Sequence, residues 1–315
     1  MQRIEVVGFG AMNLDLVYQV ERMVADGEAM VEGQAAFPGG SAANTIYGLA
    51  RLGVQAGFVG VVGDDDAGRM LLRDFEGVGV DTSRVVVKRG VASGSVLCLT
   101  DRLGQRALYV MPGANSLLHR EDLALDYFNQ ARMVHLSPFV ATEQFDLQKQ
   151  VVANLSPSVR VSFAPGALYA ARGLEALAPI LARTEVLFLN REELGQLTGD
   201  DLAGGARRCL ERGCRVAVVT MGGEGIACHI AEKGSEYTIE ARQGIGEPMA
   251  DTIGAGDAFA AGFIYGLLQD KPLEECGRLG DLVARFSIAR LGARAGLPSG
   301  EELSRSYREL YGLTL

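Results

Sequence analysis

Apolar, largely β-branched runs of four to six residues recur along the chain at 4–7, 56–61, 133–136, 160–163, 186–189 and 216–220. Runs this short and this continuously apolar read as strands buried on both faces, the habit of parallel sheets. Between them lie stretches at 43–52, 67–76, 143–155, 175–182, 202–211, 257–269 and 273–290 whose apolar residues recur three and four positions apart, as on one face of a helix. The alternation of strand and helix predicts an α/β protein, an open and mostly parallel sheet covered by helices on both faces.

Two stretches, 14–37 and 85–111, break this rhythm and read as successive strands joined by turns such as Ala25-Asp26-Gly27 and Arg102-Leu103-Gly104. Both flank the same early βαβ unit. The pair predicts a small antiparallel β-sheet standing off the main one as a lid, the alternative being an extension of the main sheet's edge. On the lid reading the α/β body comprises 1–13, 38–84 and 112–315, and the lid 14–37 and 85–111. A small isolated sheet leaves one apolar face uncovered, so a homodimer through the lid is expected.

The 315 residues suffice for a large core. Thirty basic and 39 acidic residues give a net charge of −9, which repels phosphate backbones and predicts neither a nucleic-acid nor a membrane partner; it does not preclude a small anion at a locally arranged site. Cys98, Cys209, Cys214, Cys228 and Cys276 are odd in number and lack CxxC spacing, so neither a disulfide framework nor a zinc site is indicated. The N-terminus runs straight into a strand-like segment, and no apolar run approaches the ~20 residues of a membrane span; a cytoplasmic protein is expected. Forty-one residues are glycine, where an average chain of this length carries about 22. They follow no triplet period and accompany only 9 prolines, so the surplus points to backbone geometry: tight turns and close approach of ligand to main chain.

Several glycine motifs lead nowhere. Gly8-Phe9-Gly10-Ala11-Met12-Asn13 opens like a dinucleotide fingerprint, but Asn13 stands at the third glycine and a strand pattern follows where a helix should. None of the four lysines follows a glycine, which excludes a P-loop. Gly39-Gly40-Ser41-Ala42-Ala43 approaches a nucleophile elbow but ends in Ala43, and no histidine motif accompanies it.

The strongest chemical signal is Asp251-Thr252-Ile253-Gly254-Ala255-Gly256-Asp257, at the start of an apolar helix. Glycines there let consecutive N–H groups point into one concavity, with the helix dipole behind them, which makes an anion hole. A carboxylate at its rim repels phosphate and makes better sense as a base that takes a proton from a hydroxyl attacking phosphorus. Taken alone, the block fits a helix N-cap equally well. A second glycine pair, Gly39-Gly40, again precedes a helix and brings the amide of Asn44 near exposed N–H groups, suited to a polyhydroxylated ligand. Asn13 and Asp15 share one face of a strand and offer an amide and a carboxylate to vicinal hydroxyls.

Together these residues resemble the PfkB, or ribokinase-like, family of carbohydrate and nucleoside kinases. The match is spread over nearly the whole chain: Asn13-x-Asp15; Gly39-Gly40 with Asn44; Gly57 to Asp65 with Gly68; Pro112-Gly113-Ala114-Asn115; Asn190-Arg191-Glu192-Glu193; Thr220-Met221-Gly222-Gly223-Glu224-Gly225; and the Gly-Ala-Gly-Asp block. The resemblance implies a three-layer α/β/α ribokinase-like domain with a β-sheet lid, ATP and Mg²⁺ as cofactors, and a sugar or nucleoside as acceptor. It implies that Asp257 is the catalytic base, that Gly254, Ala255 and Gly256 form the anion hole, and that Asn13, Asp15, Gly39, Gly40 and Asn44 bind the acceptor. Asn190 and Glu193 are then the pair that orders the ATP phosphates and, through water, Mg²⁺; without the family, Asn190 is an ordinary helix cap. Thr220, Gly222 and Gly225 become the nucleotide-side loop, where the residues alone suggest a hairpin turn. A monovalent cation such as K⁺ would lie by Asp251 and Ile253 and the carbonyls of Ser287, Arg290 and Gly292. Gly296 stands where ribokinase-like sequences commonly have a Ser, which leaves K⁺ dependence open.

Two departures bear on the acceptor. Ser41 follows the glycine pair where ribokinases usually carry Lys, similar to the adenosine-kinase-like branch, and no acidic residue follows the strand ending His135-Leu136-Ser137-Pro138-Phe139. A nucleoside base would need an apolar slot, for which Phe37, Phe139, Tyr109 and Met111 are candidates; ordinary lid and core packing is the alternative.

Overall fold

The computed structural model describes residues 4–103, 105–222, 225–241 and 251–315. Gly104 of the expected lid turn and Gly223 and Glu224 of the expected nucleotide loop lie outside the described residues. The described strands are β1 (Val6–Phe9), β2 (Asn13–Val20), β3 (Val31–Gly39), β4 (Ala56–Gly63), β5 (Asp81–Lys88), β6 (Gly94–Asp101), β7 (Arg106–Met111), β8 (Met133–Leu136), β9 (Arg160–Phe163), β10 (Thr184–Asn190), β11 (Val216–Thr220), β12 (Ile226–Glu232) and β13 (Ser235–Glu240). Nine of them form one sheet in the order β13-β12-β11-β10-β9-β8-β1-β4-β5, parallel from β11 to β5, with β12 and β13 antiparallel at one edge.

Successive residues of the parallel strands serve opposite faces, so an unbroken apolar run feeds two cores. Val7, Phe9, Val134, Leu136, Val161 and Phe163 pack under the helices Thr142–Asn154, Gly173–Leu181, Arg191–Thr198 and Leu202–Glu211. Val6, Phe58, Met133, Val186 and Val218 pack under Ser41–Arg51, Asp66–Glu76, Ala255–Leu268 and Leu273–Ile288. The result is the expected three-layer α/β/α body, its central sheet mostly parallel. Among the described residues no helix is long and apolar enough to cross a membrane.

The second sheet has the order β3-β2-β6-β7. Its two hairpins, β2 with β3 and β6 with β7, are antiparallel as their alternation predicts, but they join through a parallel pairing of β2 with β6, so the sheet is mixed rather than antiparallel. Residues 85–88, expected in this sheet, instead pair with β4 of the main sheet, Val85 opposite Gly60 through Lys88 opposite Gly63. The run Val85-Val86-Val87 continues the strand begun at Asp81 and extends the main sheet's edge, and the chain crosses to the small sheet only after it. Asn13 and Gly39 are a cross-strand pair at the small sheet's root, which stands over the C-terminal ends of the parallel strands, where open α/β sheets bind ligands.

Candidate active site

The helix Ala255–Leu268 begins at Gly254, whose left-handed backbone (φ 77°) turns the chain into the first helical residue. The first α-helical bond runs from the N–H of Ala258 to the carbonyl of Gly254, 2.9 Å. The Ala255 N–H meets the Thr252 carbonyl at 3.3 Å, and the N–H groups of Gly256 and Asp257 are first-turn donors that have no acceptor within the helix. Of the segment expected to form an anion hole, Gly254 makes the turn, the Ala255 N–H is already bonded, and the N–H groups of Gly256 and Asp257 are the ones left without an intrahelical acceptor.

Asp257 is held from the helix that follows the first glycine pair. Ser41 Oγ donates to Asp257 Oδ1 at 2.7 Å, and Asn44 Nδ2 donates to Asp257 Oδ2 at 2.9 Å. Ser41 and Asn44 can do this because their helix is aimed by Ser137, whose Oγ accepts from the Ala42 N–H at 2.8 Å, at the end of β8. Desolvation pushes the Asp257 carboxyl up to about 6, against the opposing pull of the Asn44 and Ser41 hydrogen bonds and the nearby Arg294 charge. Above that pH the group is an ionised, partly desolvated base.

Asp15 lies beside it. A Cβ at Gly39 would overlap the Asp15 carboxyl, so glycine at 39 is what lets that side chain lie across β3. Burial raises Asp15 to about 7; Arg294 opposes the rise and the charge of Asp257 adds to it. Asn13 is buried, and its Oδ1 accepts from Asn115 Nδ2 at 2.9 Å. Asn115 also brackets both backbone polar groups of Met12, at 3.2 and 3.0 Å. The Pro-Gly-Ala-Asn motif therefore clamps the root of the small sheet onto the body. Gly40 supplies the N-cap of the helix Ser41–Arg51.

The residues expected on the nucleotide side meet at the ends of β10 and β11, where Asn190 and Thr220 are neighbours in register. Asn190 and Glu193 form a reciprocal cap: Glu193 N–H donates to Asn190 Oδ1 at 2.8 Å, and Asn190 N–H donates to Glu193 Oε2 at 2.9 Å. The helix-cap geometry and the sequence motif coexist. Burial, above all, raises the Glu193 carboxyl, and the charge of Asp257 adds to that rise, so the two carboxyls face one electrostatic environment. Gly222 and Gly225 have left-handed backbones and open space around them.

Asp251 joins the segments before and after the last long helices. Its Oδ1 accepts from the Ile253 N–H at 2.9 Å and its Oδ2 from the Gly292 N–H at 3.0 Å. Ser287 Oγ is buried without a hydrogen-bond partner among the described residues, and the Arg290 side chain is exposed.

Sequence reasoning missed Arg294. Only 7% exposed, it donates from Nε to Asn44 Oδ1 (2.9 Å), from Nη1 to Asp74 Oδ2 (2.5 Å) and from Nη2 to the Gly39 carbonyl (3.0 Å). Its guanidinium also lies 5.3 Å from the ring centre of Tyr47 and 5.2 Å from that of Phe75. The one hint in the sequence is a lone charge in the small-residue run Gly292-Ala293-Arg294-Ala295-Gly296. Of the four side chains considered for a base-binding slot, Phe139 is in the core against Phe9, Tyr109 and Met111 are exposed on β7, and Phe37 packs over Gly292.

The sequence family described as pfkB family carbohydrate kinase matches residues 3–300. A protein of Archaeoglobus fulgidus named as an uncharacterized sugar kinase is 40% identical over 254 residues, covering 80% of this chain and 98% of that one. An ATP-dependent ribose-1-phosphate kinase of Halopiger xanaduensis is 32% identical over 294 residues, covering 93% and 94%. Among solved structures, the ribokinase of Thermotoga maritima superposes with a TM-score of 0.84 at 24% identity, over 97% of this chain and 99% of that one. A Burkholderia thailandensis nucleoside kinase in complex with inosine gives 0.83 at 22% identity, over 98% and 100%.

Proposed function

The chain belongs to the pfkB family of carbohydrate kinases, and from that premise we propose that it transfers the γ-phosphoryl group of ATP to a hydroxymethyl group of a sugar, with Asp257 as the base. The observation that carries this reading is the Asp257 carboxylate at a helix N-terminus, fixed by Ser41 and Asn44 and set beside Asp15. The acceptor hydroxyl gives its proton to Asp257 as its oxygen bonds to phosphorus, and ADP leaves with the electrons of the broken P–O bond. The first-turn N–H groups of Gly256 and Asp257, presented by the turn through Gly254 and Ala255, stabilise charge on the transferring group. Asn13, Asp15, Gly39, Gly40 and Asn44 line the acceptor side; Asn190, Thr220, Gly222 and Gly225 line the nucleotide side.

Mg²⁺, when bound, neutralises charge on the phosphates. The donor set fits a metal held chiefly by substrate phosphates and water: Glu193 Oε2 already accepts a backbone N–H, leaving Oε1 for a metal-bound water. A K⁺ site at Asp251 and Ile253 with the carbonyls of Ser287, Arg290 and Gly292 draws support from the Asp251 carboxylate, which ties Ile253 to Gly292 and so brings these segments together. For the acceptor, the core position of Phe139 favours a sugar over a nucleoside, because the apolar slot a base needs loses one wall.

An ADP-release assay over pentoses, hexoses, phosphosugars and nucleosides, with and without K⁺, tests the reading. Release with a sugar or phosphosugar is expected, and the arms with and without K⁺ decide whether the cation is required. Release with nucleosides alone overturns the sugar assignment, and release with no acceptor overturns the function.

The small sheet closes the site as a lid and pairs two copies. Its edge strand β7 exposes Leu108, Tyr109, Val110 and Met111, and Met30 and Val31 are exposed at β3. An apolar surface of that kind is covered in solution by a partner. Light scattering at micromolar concentration should give a dimer; monomer alone would rule the pairing out.

A further inference from the structure

We propose that Arg294 is a positioning residue for the catalytic base, acting by locking the side-chain amide of Asn44 so that its NH₂ group, and not its oxygen, faces Asp257. This rests on the reading of Asp257 as base. The argument is one of donors and acceptors. Asn44 stands between a group that can only donate, the Arg294 guanidinium, and a group that, ionised, can only accept, the Asp257 carboxylate. With Oδ1 toward Arg294 Nε and Nδ2 toward Asp257 Oδ2, both contacts of 2.9 Å are hydrogen bonds. Turned over, the amide would set donor against donor at one end and acceptor against acceptor at the other. Without Arg294 only the Asp257 end would oppose that rotation, and any acceptor hydroxyl would compete for the freed oxygen.

Arg294 is itself over-determined, as a lock must be. Asp74 on the helix Asp66–Glu76 and the carbonyl of Gly39 in β3 take its other two nitrogens, and Tyr47 and Phe75 flank the guanidinium. Neither its pairing with Asp74 nor its packing needs substrate. The arrangement therefore pre-orients the base before any acceptor arrives, the condition for electrostatic preorganisation. Two consequences follow for Asp257. Its proton-accepting oxygen is fixed, since Oδ2 is committed to Asn44 and Oδ1 shares Ser41, whose hydroxyl can rotate away. Its charged form is also favoured by the Asn44 bond as well as by the Arg294 charge.

The test is a double-mutant cycle on kcat with a pH profile. Arg294→Lys keeps the positive charge but loses the planar fork that reaches Asn44, Asp74 and Gly39 together. It should lower kcat about tenfold and move the acid limb of the profile upward by roughly one pH unit or less, the direction expected when a hydrogen bond to the carboxylate is lost. The groups that face Asp257 and Arg294 and are left in place are Asp15, Glu193, Asp74 and Tyr47. In an Asn44→Ala background the same substitution should cost no more than about twofold, because Arg294 acts through the missing amide. Equal losses in both backgrounds, or an Arg294→Lys enzyme with wild-type kcat and an unmoved acid limb, overturn the proposal. Should Arg294→Lys not fold, Asp74→Asn carries the same test: it loosens the guanidinium from its far end and should shift the limb in the same direction and by less, with no shift counting against us. A wrong base assignment shows separately, as near-normal turnover in Asp257→Asn, while the coupling between positions 294 and 44 would persist in the cycle.

Discussion

Asp257→Asn is expected to lower kcat by about 10²–10⁴-fold while leaving acceptor affinity within a few-fold of wild type, the range general-base removal typically produces. The fold should survive the change. An amide is nearly isosteric with the carboxylate; its oxygen still accepts from Asn44 Nδ2, and its NH₂ turns to Ser41, whose hydroxyl rotates from donor to acceptor. What disappears is the proton acceptor. The wild-type profile should carry the same signature: with the Asp257 carboxyl raised to about 6, activity is present above that value and falls as pH drops through it and the base is protonated. Asp15, raised to about 7 in part by the charge of Asp257, should titrate lower in the variant. Steady-state kinetics between pH 5 and 9, with acceptor binding measured by calorimetry, check all three. Turnover within a few-fold of wild type would remove Asp257 from the mechanism.

The parts of the site that were legible in the sequence are those whose chemistry is local. A glycine that starts a helix and a carboxylate three residues on belong to one turn of chain, so Gly254 to Asp257 is readable as a helix start without the fold, its chemical role being what the family resemblance adds. The same holds for Gly39, Gly40 and Asn44, and for the capping pair Asn190 and Glu193. The main sheet was legible because its strands are buried on both faces and read as unbroken apolar runs. Residues 85–88 were misassigned because a β-branched run carries no mark of which sheet it joins; only the pairing with β4 decides. Arg294 was out of reach for a different reason. It is separated from Asn44 by 250 residues and from Asp74 by 220, and a buried arginine looks like a solvated one until its partners are known. Phe139 shows the converse: a plausible wall for a ligand slot by its place after β8, it is committed to the core against Phe9.

Gly254→Ala should reduce kcat by about 10²–10³-fold, the effect of losing a preorganised oxyanion donor, and also lower thermal stability. Residue 254 has φ 77°, which costs an L-residue about 1 kcal/mol or more. The added Cβ would further overlap the Ala293 side chain and come within 2.8 Å of its Cα. Ala293 cannot yield freely, because the next residue is Arg294, tied at three points. The strain should therefore be relieved at the other side, by displacement of the helix start that presents the N–H groups of Gly256 and Asp257. Gly199→Ala is the matched control. Gly199 ends the helix Arg191–Thr198 with φ 69°, so it bears a similar backbone penalty, but its Cβ would meet nothing within 4 Å. It should lose stability and keep kcat. The two melting curves and two turnover numbers together separate left-handed strain from damage to the anion hole: equal kcat in both variants would mean that the turn at Gly254 serves the fold and not the phosphoryl group.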